Sequence, residues 1–306
     1  MSLKTAKRWC FRLFAVVLFL VSCYCSHVFL QSYGGTSKSP LTPSKSLCGG
    51  WLKQKKWESL NFNISRQTEL FFKLDDFFWR QHQSTLALPY GIKGSELLLL
   101  RVLAIIANYK MPASIDRLND APVRGYEDDV GNKTTMRLFY PESASYNPSM
   151  HNDPNTLMVL VPFKQQDLRW LKEILYDEKR VRKGFWKPPP QIWLGRTSRI
   201  RVLDPHFLHG TASSLLQIPL HPKSKQKPVH PTTGILAVFV ALNYCDVVHI
   251  AGFGYPASKN QKHPIHYYGY DTMKSMKDSY HDLAHEAEAL KKLEDSGAIL
   301  YLHPHS

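Results

Sequence analysis

The chain has 306 residues, 43% hydrophobic and 21% charged, with 39 Lys and Arg against 25 Asp and Glu for a formal net charge of +14. That composition excludes a disordered chain, which would lack the apolar content to bury a core, and the length allows one large domain or two small ones. Apart from KSKQKP and DEKRVRKGFWK the basic residues are spread out, which argues against a nucleic-acid-binding block and leaves a solvated surface, or an anionic small-molecule substrate, as the simpler reading.

Lys4, Lys7, Arg8 and Arg12 precede an apolar run from Leu13 to Leu30, and the next charge is Lys38. The run is long enough for a short bilayer crossing, and the positive flank keeps the N-terminal end cytoplasmic and sends the rest to the lumen. A cleaved signal peptide is the alternative, since small residues follow around Ser22 to Ser26; the apolar run is long for one. The expected order is a cytoplasmic tail (1–12), a signal anchor (13–30), a Ser-, Pro- and Gly-rich luminal stem (31–65) and a folded domain (66–306). Asn63 in NIS and Asn132 in NKT are glycan acceptors if that part of the chain is luminal.

Of the five cysteines, Cys10, Cys23 and Cys25 belong to the anchor region. Cys48 and Cys245 would meet an oxidising compartment, where they either pair with each other or stay apart.

Within the folded part, SRQTELFFKLDDFFWRQHQ is amphipathic and aromatic-rich. KGSELLLLRVLAIIANYK predicts a helix, capped by Ser95 with Glu96 in its first turn. TLMVLVPF (156–163) predicts a buried strand, QQDLRWLKEILYDEKRV a helix and SRIRVLDP a strand. TTGILAVFVALNY predicts an apolar helix, DVVHIAGFG a strand, DLAHEAEALKKLEDSG a helix ended by Gly297, and AILYLH a last strand. Alternation of strand and helix implies an α/β domain with a mainly parallel sheet.

Pro231, Thr232, Thr233 and Gly234 open the apolar helix, where N–H groups and hydroxyls suit a phosphate or carboxylate; a plain capping turn is the alternative. His263 and His266 stand among aromatics in HPIHYYGYD. His281 precedes the last helix, with His285 one turn on and Glu286 next. The two histidines could share a metal, but HDLAHE lacks the order of known zinc motifs. The pairs Asp75–Asp76 and Asp128–Asp129 are read as solvated loop positions.

RLNDAPVRGYEDDVGNKTTMRLFYPES, HPTTGILAVFVALNYCDVVHIAGFGYP, HYY and HDLAHE follow one another in the order and spacing of the sialylmotifs. The chain therefore resembles the animal sialyltransferases, within them the β-galactoside α2,3 branch, over roughly residues 60 to 300. The resemblance implies a GT-A-like, Rossmann-type variant of the α/β fold in a Golgi type II membrane enzyme. That enzyme would move sialic acid from CMP-sialic acid to the 3-hydroxyl of a terminal galactose on glycoproteins and glycolipids, with inversion and without a metal or other cofactor. By the same resemblance His281 is the general base and His266 supports the departing phosphate. Thr232, Thr233 and Gly234 form the donor-binding turn, and Asn119 contacts the nucleotide.

One departure stands out. The family's large motif opens with a cysteine, a strand, a Gly-Asn-Gly-like turn, a helix and a second strand, whereas here NYKMPASI runs directly into DRLNDAPV. About thirty residues, the length of one βαβ unit, are absent between Ile115 and Arg117. The resemblance places the usual disulfide partners of Cys48 and Cys245 in that stretch. It predicts an impaired form, retained in the ER, whose alternative role is to associate with the full-length enzyme as a membrane-anchored partner.

Overall fold

A computed structural model of the chain describes residues 50–62, 69–74, 77, 86–106, 123, 125–144, 154–220, 228–255, 263–277 and 279–302. The expected anchor, the three anchor cysteines, Cys48, Asn63, Asp75–Asp76, Asn119 and the junction at Ile115–Arg117 lie outside them. Among the described residues no helix is long and apolar enough to cross a membrane.

Helices α1 (Lys56–Ser59), α2 (Glu96–Ile106) and α3 (Glu127–Val130) precede strand β1 (Met136–Phe139) and β2 (Leu157–Leu160). Then come α4 (Gln165–Leu175), β3 (Ile200–Val202), α5 (Pro205–Gly210) and α6 (Thr233–Tyr244). Strand β4 (His249–Ile250), α7 (Leu283–Asp295) and β5 (Leu300–Tyr301) follow. The order β1-β2-β3 forms one sheet and β4-β5 another. Among the described residues every strand pair is parallel, with Phe139 opposite Leu160, Leu160 opposite Val202 and Ile250 opposite Tyr301.

The three-stranded sheet is buried on both faces, as parallel sheets are. Met136, Leu138, Leu157 and Val159 point into one core with Ile235, Leu236 and Phe239 of α6. The alternate residues Phe139, Met158, Leu160, Ile200 and Val202 point into a second core with Val102 and Leu103 of α2 and Leu168 and Leu171 of α4. A period-2 strand thus splits its apolar residues between two helical layers. That is the expected α/β arrangement of a parallel sheet flanked by helices.

Several boundaries differ from expectation. Helix α4 stops at Leu175, because Tyr176 caps it and Asp177 takes a φ of +53°. The predicted strands at 156–163 and 246–254 narrow to β2 and the two residues of β4. Asp128 and Asp129 lie in α3, exposed, rather than in a loop. Residues 50–60, expected in the stem, are drawn into the core by Trp51, Leu52 and Trp57, all buried. Strand β1 was not expected at all: Arg137, buried in its middle, interrupts the apolar run that marks a strand.

Candidate active site

Helix α6 is apolar around its circumference, so it can only lie inside the protein. Its N-terminus therefore opens deep in the structure. Thr232 is the N-cap: its Oγ1 accepts from Ile235 N at 3.1 Å. The same hydroxyl donates to Glu286 Oε2 at 2.6 Å, and Thr232 N donates to Glu286 Oε1 at 2.7 Å. Tyr255 donates its hydroxyl to Glu286 Oε2 as well. Glu286 is fully buried, and burial pushes its carboxyl up to about 7 against the pull of those three donors. One side chain of α7 thus fixes the cap of α6.

Gly234 has a reason of its own. A Cβ there would lie 2.6 Å from Phe253 Cζ, so the helix start and the segment after β4 approach as closely as only glycine allows. Phe253 in turn forms an antiparallel bridge with His266. That bridge, Gly254 N to Ile265 O at 3.3 Å and Tyr267 N to Gly252 O at 2.9 Å pin the HPIHYY loop to the end of β4. His266 is half-buried and stacks on Tyr268, with ring centroids 5.4 Å apart and planes at 24°. Burial lowers its pKa, with Asp271 opposing. His263 of the same motif is exposed.

His281 lies just before α7. Its Nδ1 is 2.8 Å from the carbonyl oxygen of His230, and His230 N donates to Tyr280 O at 2.7 Å. A carbonyl only accepts, so Nδ1 carries a proton, and in the neutral ring the lone pair is on Nε2. His230 itself is held neutral: burial, helped by the neighbouring His281, lowers its pKa to about 4. Its ring lies 5.8 Å from Phe163 and 6.0 Å from Tyr90.

These groups share one cavity of about 1570 Å³, lined among others by His230, Thr232, Thr233, Gly234, His266 and His281. Five residues singled out in the sequence as catalytic or donor-binding are therefore brought together, and the sixth, Asn119, lies outside the described residues. Their arrangement brings an imidazole anchored through Nδ1, a second imidazole and a helix N-terminus to one space. That set suits removal of a proton from a hydroxyl beside a leaving anion.

The suggested His281–His285 metal pair does not form. His285 is exposed and turns to Asp282, Nδ1 to Oδ2 at 2.7 Å, while Asp282 caps α7. Among the described residues no group of three or more His, Cys, Asp or Glu side chains is placed to hold a metal ion. Asn132 is exposed before β1. Cys245, half-buried, caps the C-terminal end of α6.

Sequence reading missed two contributors. Glu286 was noted only as a neighbour of His285, although its place five residues after His281, one turn into a capped helix, aims it inward. Asp167 is the other. It is buried on the cavity wall, its Oδ2 accepting from Phe163 N at 2.9 Å and Lys164 N at 3.1 Å. Burial raises its pKa to about 7.

Residues 113–298 match the model of glycosyltransferase family 29 (sialyltransferase). The chain is 45% identical over 294 residues to a mouse CMP-N-acetylneuraminate-beta-galactosamide-alpha-2,3-sialyltransferase 4, spanning 85% of this chain and 87% of that protein. It is 46% identical over 189 residues to a chimpanzee type 2 lactosamine alpha-2,3-sialyltransferase, spanning 61% of this chain and 56% of that one. Its fold is similar to that of a mammalian sialyltransferase solved in complex with Gal-beta-1-3GalNAc-ortho-nitrophenol. The TM-score is 0.60 at 22% identity, covering 83% of this chain and 98% of that structure.

Proposed function

The chain belongs to glycosyltransferase family 29, the sialyltransferases, and from that premise we propose that it is a β-galactoside α2,3-sialyltransferase. Its donor is CMP-sialic acid and its acceptor a terminal galactose on glycoproteins and glycolipids. The observation that carries the reading is His281, whose Nδ1–H is tied to the His230 carbonyl at 2.8 Å, so that Nε2 serves as base in the cavity that also holds His266 and the α6 cap. In the reaction Nε2 takes the proton of the galactose 3-hydroxyl as its oxygen bonds to the anomeric carbon of sialic acid. The bond from that carbon to the phosphate oxygen breaks, the configuration inverts, and CMP departs. His266 and the N-terminus of α6, with Thr233 and Gly234, meet the negative charge of the leaving phosphate and the sialic carboxylate, and no metal is required.

The same reading places the protein in the Golgi membrane as a single-pass type II protein, with the folded part in the lumen and Asn63 and Asn132 as glycan acceptors. Asn119 completes the nucleotide contact.

The stretch absent between Ile115 and Arg117 bears on activity. An aligned length greater than the share of this chain that it uses supports that gap. A central strand with its turn contributes buried surface on both faces, and its loss costs several kcal/mol against a total stability of about 5–15 kcal/mol. The favoured second reading is therefore a form impaired in transfer and retained in the ER, which associates with a complete enzyme through shared surfaces.

One assay tests both. The full-length chain and a version carrying the family's missing segment are given radiolabelled CMP-sialic acid and N-acetyllactosamine. Transfer by the filled version alone makes this chain the impaired form. Transfer by both upholds the enzyme reading and discards impairment, and transfer by neither overturns the acceptor assignment.

A further inference from the structure

The cavity has a wall that the reaction above does not use. After α4 the chain runs through Gly184, Phe185, Trp186 and Lys187, which all line it. The segment is firmly seated. Trp170 Nε1 donates to Pro190 O at 2.9 Å, and Trp193 stacks on Phe139 with centroids 5.6 Å apart and planes at 30°. Phe185 lies under Lys164 Nζ, 4.7 Å from the ring centroid. Pro189 and Pro190 are buried. Beside the less exposed Phe185 and Lys187, Trp186 is 73% exposed at the cavity rim.

We propose that Trp186 is the platform for the second sugar of the acceptor, the ring that follows the terminal galactose. The inference rests on the transferase reading and deepens it. A pyranose such as N-acetylglucosamine or N-acetylgalactosamine presents one face of C–H bonds, which covers a flat aromatic ring while its hydroxyls stay in water. Indole is the side chain best suited to such a contact, being large, rigid and cheap to order.

The side of the cavity is decided by a chain of contacts. From Trp186 the wall passes to Phe185, under Lys164, then to Phe163, whose ring is 5.8 Å from that of His230. The His230 carbonyl holds His281. The α6 cap at Thr232 follows His230 by two residues, and His266 is joined to the start of α6 through Phe253. Trp186 therefore lies on the stretch of wall that leads to the base. The galactose whose proton the base removes lies against His281, and the sugar attached to it extends along this wall.

The test is a binding titration of the full-length chain in detergent, with CMP present, using methyl β-galactoside and methyl β-N-acetyllactosaminide as probes. Trp186→Ala is expected to weaken the disaccharide about ten-fold and to leave the monosaccharide unchanged, with Trp186→Phe restoring part of the loss and an unaltered melting temperature excluding a folding defect. Equal weakening of both probes, no weakening of either, or no disaccharide binding to the wild-type chain overturns the proposal. Binding is read without turnover, so a chain that fails to transfer sialic acid yet binds the disaccharide through Trp186 defeats the transferase reading alone.

Discussion

Glu286 holds Thr232 with both carboxylate oxygens, Oε1 on the backbone N–H at 2.7 Å and Oε2 on the hydroxyl at 2.6 Å. The two residues are 54 positions apart in sequence, so the contact welds α7 to the start of α6. Glu286→Ala leaves Thr232 and Tyr255 with buried donors and no acceptor. A loss of about 3 kcal/mol is expected in denaturant unfolding, with a higher KM for the donor as the α6 cap loosens. Glu286→Gln keeps one acceptor and the side-chain volume, and should cost less than half as much. Equal costs for the two variants would show that the oxygens are not what matters.

The pH dependence of that pair has a definite sign. The folded carboxyl sits at about 7 against an ordinary 4.5, so the folded state holds the proton more tightly than the unfolded state. Its contribution is complete below about 4.5 and is lost as pH climbs through about 7. The stability deficit of Glu286→Gln relative to wild type should therefore be largest near the acid end and shrink toward alkaline pH. Asp167 drifts in the same sense. His230 opposes both, since a pKa lowered to about 4 from 6.5 removes stability as pH falls through that window. The wild-type profile is flattened by this opposition, so the difference between variants is the quantity to measure by thermal melting. A difference constant with pH contradicts the assignment.

His281→Ala should lower kcat by about 10²- to 10⁴-fold with an unchanged melting temperature. His230→Ala should retain far more activity, because its backbone carbonyl, not its ring, fixes the tautomer of His281. Transfer assays decide it, using the version with the inserted segment if the chain itself is silent. Comparable losses in both variants would assign the His230 ring a direct role.

Gly234→Ala places a methyl group 2.6 Å from Phe253 Cζ. Overpacking of this kind costs about 1–3 kcal/mol, and Phe253→Leu in the same molecule should recover part of it. The coupling is read from a double-mutant cycle of unfolding free energies; strict additivity would mean that the two residues do not press on each other.

Gly50 packs so closely on α6 that a Cβ there would lie 2.0 Å from the Asn243 carbonyl oxygen, and Trp51 Nε1 donates to Asp246 O at 3.2 Å. Cys48 precedes that glycine by two positions in the sequence, and Cys245 follows Asn243 by two. In the proposed luminal compartment the two thiols should join, giving two protons and two electrons to its thiol–disulfide oxidants. Peptide mapping without reduction is expected to yield a linked pair that a reductant separates. Two singly alkylated peptides would show that the usual partners have been lost without replacement.

Much of this protein is written locally. The apolar run of α6 and the caps at Thr232 and Asp282 depend on neighbours within one turn. So does the helix end at Gly297, whose φ is +73°. Hydrogen bonding and burial along a single helix make them readable one segment at a time. The order of the four motifs likewise marks His281, His266 and the Thr232–Gly234 turn. Strand β1 could not be read that way, because a buried Arg137 breaks its pattern. The apolar runs around β4 and β5 are readable as strands, but their two-residue lengths are set only by where the two pair. The proton position on His281 is set by a carbonyl 51 residues away, and a backbone carbonyl belongs to every residue, so it leaves no mark in the sequence. Residue types thus determined which groups are present and which helices carry them. Only long-range contacts, Glu286 on Thr232 and Phe253 against Gly234 and His266, decided that two imidazoles and a helix end share one cavity, because they are made across distances in sequence over which no local rule operates.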